Sequence, residues 1–238
     1  ETRRDDVVDT LHGVQVADPY RWLEDVEQPE VQTWMDAQDK AARDYLADLP
    51  RREALKKRFA ELYYIDAVSA PSHRGNRYFY SRRHADKEKR VYYWREGDGE
   101  EKVLLDPNTM SKDGSISVGF VKAAWDGERV GYSLKENNAD EAVLYIMEVA
   151  TGKVSEIDVI HGIKYSRPSW TADGKGFYYV YLPSDPNIPV ADRPGYAEVR
   201  FHKLGEDPKN DKVIVEKTGD PKIFVGGNQC RDQVDAVL

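Results

Sequence analysis

The chain has 238 residues, 40% hydrophobic and 33% charged, with 43 acidic side chains against 35 basic ones and a formal net charge of -8. That balance supplies apolar material for a core and excludes the broad basic face that a nucleic-acid backbone requires. Cys230 is the only cysteine and the five histidines (His12, His73, His84, His161, His202) share no ligand spacing. An internal disulfide, a thiolate zinc site and any other cofactor are therefore not expected. No apolar run approaches the ~18 residues of a membrane span, so no membrane partner is expected either. The first residue is Glu1, so a removed leader stays open, and with it a cytoplasmic or a periplasmic location.

The first landmark is Asp18-Pro19-Tyr20-Arg21-Trp22-Leu23-Glu24-Asp25. Asp-Pro initiates a turn because proline fixes φ and holds the preceding residue extended. Tyr20, Trp22 and Leu23 are bulky anchors, and Arg21 can be neutralised by Glu24 and Asp25, which reads as a docking segment rather than a reactive site. From Pro29 to Leu49, Val31, Trp34, Met35, Ala41, Ala42, Tyr45, Leu46 and Leu49 fall on one stripe at helical spacing. Pro29 suits a first turn and Pro50 marks a stop. A second helix is predicted over 52–63, with Leu55, Phe59 and Leu62 facing inward.

Beyond Ala67 the helical period gives way to short aromatic or alternating runs: Tyr78-Phe79-Tyr80, Val91-Tyr92-Tyr93-Trp94 and Val103-Leu104-Leu105, separated by Arg74-Gly75-Asn76, Gly97-Asp98-Gly99 and Asp113-Gly114. This is a strand-turn-strand pattern. It repeats: Ala124-Trp125-Asp126-Gly127 parallels Ser169-Trp170-Thr171-Ala172-Asp173-Gly174, with Asp126 and Asp173 47 residues apart, and a weaker copy around Gly75 lies 52 residues before Gly127. Units of ~40–50 residues with four strands each indicate propeller blades, whereas a sandwich would not repeat a turn-plus-aromatic cassette at this interval. Three blades are counted, about 68–113, 117–160 and 165–216, and a fourth begins near Pro221 and decays toward Cys230, as a diverged blade or foreign sequence.

No stretch carries the Gly-x-Ser-x-Gly elbow of an α/β hydrolase. The nearest decoy, Gly131-Tyr132-Ser133-Leu134-Lys135, has lysine at its fifth position and reads as strand. Acidic pairs such as Asp5-Asp6 and Glu24-Asp25 lack any mark of a facing glycosidase pair. Gly226-Gly227 has no following Lys-Ser/Thr, so no phosphate loop is present. No catalytic residue is predicted.

Taken together, the octapeptide, the helix with Val31, Trp34, Gln38 and Tyr45-Leu46, the segment Lys87-Glu88-Lys89 before Tyr92-Tyr93-Trp94, Lys102 to Asn108, Ser169 to Tyr179 and Arg193-Pro194-Gly195-Tyr196 resemble the prolyl oligopeptidase family of serine peptidases over residues ~9–220. The resemblance implies a mainly β chain with N-terminal helices: residues 1–66 as a helical docking segment of an α/β-hydrolase domain, and 67–238 as the first three to four blades of a seven-bladed β-propeller. It implies an endopeptidase cleaving short peptides after proline, with the Ser-Asp-His triad in a C-terminal hydrolase portion and the propeller as a gate. Tyr165 matches an aromatic substrate-pocket position of the family, and Val225 is the nearest match to an apolar one. Metal sites are not implied. The other readings are a non-catalytic propeller-type binding or interaction protein, and an oligopeptidase B-like fragment, whose N-terminal segment matches less well. Three to four blades leave two blade faces uncovered, so the isolated chain is expected to be inactive, marginally stable and prone to self-association.

Overall fold

The computed structural model describes residues 1–137, 139–163 and 166–229, together with the strand Ala236–Val237. The chain divides into two compact units, Glu1–Tyr63 and Tyr64–Leu238.

The first unit opens with an antiparallel hairpin of β1 (Val8–Leu11) and β2 (Val14–Ala17). Its two-residue turn, His12-Gly13, has positive φ at both positions (52° and 83°), which matches the twist of the flanking strands. The octapeptide follows as a turn and a short 3-10 segment, Arg21–Leu23. Arg21 pairs with Asp18 (Nε to Oδ2, 2.9 Å) and with both oxygens of Asp9, and not with Glu24 or Asp25 as its sequence neighbourhood suggests. The hairpin presents Asp9 to the guanidinium fork, a geometry that sequence proximity cannot provide. Trp22 donates to the Arg3 carbonyl (3.1 Å) and meets Trp34 edge-on with centroids 6.3 Å apart.

Helices α1 (Pro29–Ala47) and α2 (Arg52–Tyr63) form where the period and the prolines place them. Val31 is the only buried residue of α1, and α2 buries none. The predicted inward residues of α2 are exposed: Leu55 at 52%, Phe59 at 65% and Leu62 at 55%. Helical spacing sets which residues share a face, but nothing in the spacing supplies a cover for that face. The octapeptide anchors are likewise uncovered in part, with Tyr20 exposed and Trp22 and Leu23 half-buried.

The second unit is a succession of antiparallel meanders. In the first, β3 (Ala67–Val68) and β4 (Ser72–Arg74) pair with opposite ends of β5 (Arg77–Arg83), acting as one interrupted strand, followed by β6 (Val91–Glu96) and β7 (Lys102–Leu105). The second runs β8 (Ile116–Ala123), β9 (Arg129–Glu136), β10 (Ala142–Glu148) and β11 (Val154–Ile163). The third runs β12 (Ser169–Trp170), β13 (Gly176–Tyr181), β14 (Glu198–Lys203) and β15 (Lys212–Val215). Among the described residues, the pairing of Ile163 with Tyr181 joins the second and third edge to edge, beside a bond from the Leu182 N–H to the Gly162 carbonyl (2.9 Å). Beyond them β16 (Asn228–Gln229) pairs with β17 (Ala236–Val237). Four strand positions per meander, repeated with faces packed on one another, is the build of propeller blades.

The cores lie in the seams. Phe79, Trp94, Leu104 and Leu105 of the first meander cluster with Val130, Tyr132 and Met147 of the second. Leu144, Ile146, Ile160 and Ile163 of the second cluster with Trp170, Phe177 and Tyr179 of the third. The repeated cassettes meet in the same order. The Gly75 N–H donates to the Trp125 carbonyl (3.0 Å), the Trp125 indole to the Trp170 carbonyl (3.2 Å) and the Trp170 indole to the Lys122 carbonyl (3.1 Å). A Cβ on Gly75 would sit 1.9 Å from the Asp126 carbonyl oxygen, and one on Gly127 would sit 2.4 Å from that of Arg74. The turns therefore need glycine twice over, for positive φ and for backbone-to-backbone approach.

Gly114 has the same φ as Gly127 (73° and 74°) but nothing within 4 Å of its would-be Cβ. Gly114→Ala should cost only the left-handed strain, about 1–2 kcal/mol. Gly127→Ala should cost clearly more, because the facing turn must also move. Urea midpoints of the two variants in the same protein measure the difference, and equal midpoints would show that the turn contact contributes nothing.

Candidate functional site

Of the two substrate-pocket residues expected from sequence, Tyr165 lies outside the described residues. Val225 is half-buried in the stretch between β15 and β16, beside Phe224, which is 79% exposed. The structure brings no described pair of them together. Among its neighbours in sequence, Ile163 is buried at the end of β11, and the Ser166 hydroxyl accepts from the Val180 N–H at 2.8 Å.

A cleft of about 300 Å³ adjoins this segment, lined among others by Phe120, Ser133, Lys135, Asp140, Ser166 and Arg167. Ser133 sits in β9 opposite Leu144 of β10 and Phe120 of β8. Its hydroxyl is buried and has no hydrogen-bond partner. The sequence reading of Gly131 to Lys135 as ordinary strand therefore agrees with the structure. Two cations, one carboxylate and a buried hydroxyl can receive polar groups. They do not make a nucleophile, because among the described residues no histidine lines the cleft and no serine hydroxyl meets a histidine ring nitrogen.

The densest polar arrangement lies across the seam between the second and third meanders. His202 of β14 is fully buried. Its Nε2 lies 2.9 Å from Asp158 Oδ1 of β11, and its Nδ1 lies 2.8 Å from Asp211 Oδ1, just before β15. Asp158 also accepts from the Ser155 hydroxyl (2.7 Å) and the Gly205 N–H (2.7 Å), and Asp211 accepts from the Tyr179 hydroxyl (2.8 Å). Burial opposes a charged imidazole, but the two carboxylates outweigh it and raise the His202 pKa to about 9. Burial pushes the Asp158 carboxyl up, while His202, Ser155 and the Gly205 N–H hold it below its usual value on balance. Burial and then Asp211 push the Tyr179 phenol upward. An imidazolium clamped between two carboxylates joins the meanders. It is not a base, because both ring nitrogens are occupied and no water reaches it.

Residues 1 to 234 match the family model described as "Prolyl oligopeptidase, N-terminal beta-propeller domain". The chain belongs to the prolyl oligopeptidase family. Within it, a prolyl endopeptidase from Elizabethkingia meningoseptica is 31% identical over 98% of this chain and 33% of its own length. The dual function macrocyclase-peptidase POPB of Galerina marginata is 26% identical over 97% of this chain and 35% of its own. Among solved structures, one from a study of two prolyl endopeptidases superposes with a TM-score of 0.96 at 57% identity, over 98% of this chain and 35% of that one. Prolyl oligopeptidase B from Galerina marginata, bound to a 35mer hydrolysis and macrocyclization substrate, superposes with a TM-score of 0.85 at 25% identity over 98% of this chain and 35% of its own. The chain thus spans about a third of the prolyl oligopeptidase relatives it matches. Among the described residues no group of His, Cys, Asp and Glu could hold a metal ion, and no helix is long and apolar enough to cross a membrane.

Sequence reasoning passed over the His202 cluster because its members lie 44 and 9 residues from the histidine, a separation that no local motif encodes. The raised His202 pKa and the lowered Asp158 pKa define a pH window. The His202 contribution is complete below the unfolded imidazole value of about 6.5 and fades as pH rises through about 9. The Asp158 contribution is complete above about 3.8 and fades as pH falls through its lowered folded value. Unfolding free energy should therefore plateau between about pH 4 and 6.5 and fall by on the order of 3 kcal/mol toward pH 10. His202→Gln should flatten the alkaline arm, and an alkaline arm of equal slope in that variant would remove His202 as its source.

Proposed function

We propose that the chain is the front part of a serine endopeptidase that cleaves short peptides after proline, and that it restricts access to chemistry carried elsewhere in the protein. Residues 1–66 form a helical segment that docks on the hydrolase domain. Residues 67–238 supply propeller blades at about 68–113, 117–160 and 165–216, with the start of a fourth at 221–238. Tyr165 and Val225 stand on the rim of the substrate pocket. The partners are short proline-containing peptides and a C-terminal hydrolase portion.

The observation that carries this reading is the match to the propeller model over residues 1–234 together with a TM-score of 0.96 to a prolyl endopeptidase structure. Two features of the chain support it. The 238 residues contain no Gly-x-Ser-x-Gly elbow, so the nucleophile of such an enzyme has to come from other sequence. The apolar stripe of α1 and α2 is exposed at Tyr45, Leu46, Leu55, Phe59 and Leu62, as a helix pair made to be covered would be.

A fluorogenic peptide with an internal proline tests the proposal in two arms. The full-length protein should cleave after proline and lose activity to a serine-directed inhibitor, and the isolated 238-residue chain should be inert. Inhibitor-sensitive cleavage by the isolated chain would contradict the assignment of the chemistry elsewhere. In the full-length protein, Tyr165→Ala should raise KM about fivefold, equivalent to about 1 kcal/mol of lost contact, with kcat little changed. An unchanged KM would take Tyr165 off the rim.

A further inference from the structure

Strand β9 has two unlike faces. Val130, Tyr132 and Leu134 point into the core shared with the first meander, so alternation turns Ser133 and Lys135 toward the third meander. On that side lies the cleft of about 300 Å³, lined by both residues and by Gly119, Phe120, Ala142 and Ile163. A β-bulge opens it. The register between β8 and β9 shifts between Val118 and Phe120, and the extra residue is Gly119. A Cβ at Gly119 would sit 2.6 Å from Ser133 Oγ and 3.2 Å from Lys135 Cε. The hydroxyl and the lysine stem therefore converge on one point that the bulged glycine leaves open. Ser133 is 1% exposed and its hydroxyl has no partner. Lys135 is half-buried and forms no ion pair among the described residues. Asp140 and Arg167, also on the lining, are exposed and opposite in sign, and Asp140 is already engaged. A donor and a cation are thus left in the interior of the cleft without an acceptor, and a buried donor is costly to leave unmatched.

We propose that this cleft receives the side-chain carboxylate of an acidic residue in the peptide substrate. The inference rests on the peptidase reading above and adds to it a preference at one substrate position other than the proline. The Ser133 hydroxyl donates to one carboxylate oxygen and the Lys135 ammonium to the other. The methylenes of a glutamate rest on Phe120, Ala142 and Ile163. The placement suits a substrate contact, because Ile163 and Ser166 line the cleft and flank Tyr165 in sequence. One ammonium and one hydroxyl match a monoanion, whereas a phosphate dianion would bring excess charge against apolar walls. A neutral amide could accept from Ser133 but would leave Lys135 without a counter-charge. The volume is at the lower end for ligand pockets, which fits one side chain.

A fluorogenic peptide of about nine residues with one central proline tests it on the full-length protein. A single Glu is moved through the other positions, and each peptide is paired with its Gln counterpart. At one position Glu should lower KM about tenfold relative to Gln, with kcat within about twofold. Lys135→Met should bring that ratio to about one, and Lys135→Glu should pass the preference to a Lys peptide at the same position. Ser133→Ala removes the orphan hydroxyl, should keep a cooperative melt and should cut the ratio severalfold. Lys175→Met, which removes an exposed cation in the turn between β12 and β13, should leave the ratio as it was. The Gln series alone reads the peptidase assignment, and no cleavage after proline in any peptide would overturn that reading and this one with it. Cleavage with equal KM for Glu and Gln at every position, an equal gain at all positions, or a preference that survives both Lys135 substitutions would overturn the acidic-residue site alone.

Discussion

Each meander of the second unit has two faces and can cover neither by itself. That constraint governs the rest of the structure. A four-stranded antiparallel sheet buries a face only against another layer, and here the layer is the next meander in sequence. Val91, Val130, Leu144, Phe177 and Val199 are almost fully buried although each meander is only four strands wide. The two core clusters each draw on two adjacent meanders, so stability in this unit is a property of neighbouring pairs, as in repeat architectures. Among the described residues the edge-to-edge link comprises the pairing of Ile163 with Tyr181 and the Leu182 N–H to the Gly162 carbonyl (2.9 Å), and face packing carries the two core clusters.

The repeat was legible because turn chemistry is local. Asp126-Gly127 and Asp173-Gly174 announce positive φ in two adjacent letters, and the tryptophans before them recur at nearly the same offset. The structure adds what the letters cannot contain: Gly75 and Gly127 meet each other's turns, so the interval between copies is also the interval between contacts. The helices were legible for a similar reason, since period and proline both act within one turn. Their covering was not legible, and Leu55, Phe59 and Leu62 are exposed on a face that the period alone marks as apolar. Arg21 misled for the opposite reason. Its nearest acids in sequence are not its partners, because a hairpin turn brings Asp9 closer than Glu24. Tyr165 and Val225 rested on family resemblance, with no pattern in the chain's own residues to define a pocket.

Net charge was a poor guide to local chemistry. An acidic total of -8 argues against nucleic acid, but it does not say where single charges are placed. Asp158 and Asp211 lie 44 and 9 residues from His202 in sequence and meet it only because the seam between the second and third meanders closes. A sum over the sequence therefore says little about a buried cluster built from three of its members.

The same separation explains why an aspartate-histidine pair can be present without catalysis. A general base needs one ring nitrogen free toward a substrate proton and a pKa near the working pH. His202 has neither, because Asp158 takes one nitrogen, Asp211 takes the other, and the two carboxylates stabilise the charged form to a pKa of about 9. Removing either carboxylate would free one ring nitrogen but leave the ring buried, still without a nucleophile beside it. The hydroxyls that are present, Ser155 and Tyr179, donate to the carboxylates and cannot turn toward the ring without breaking those bonds. Chemistry at this cluster is thus blocked by geometry and not by residue type. What remains for it is to hold β11 against β14, where hydrocarbon contact alone would leave the order of packing less tightly specified.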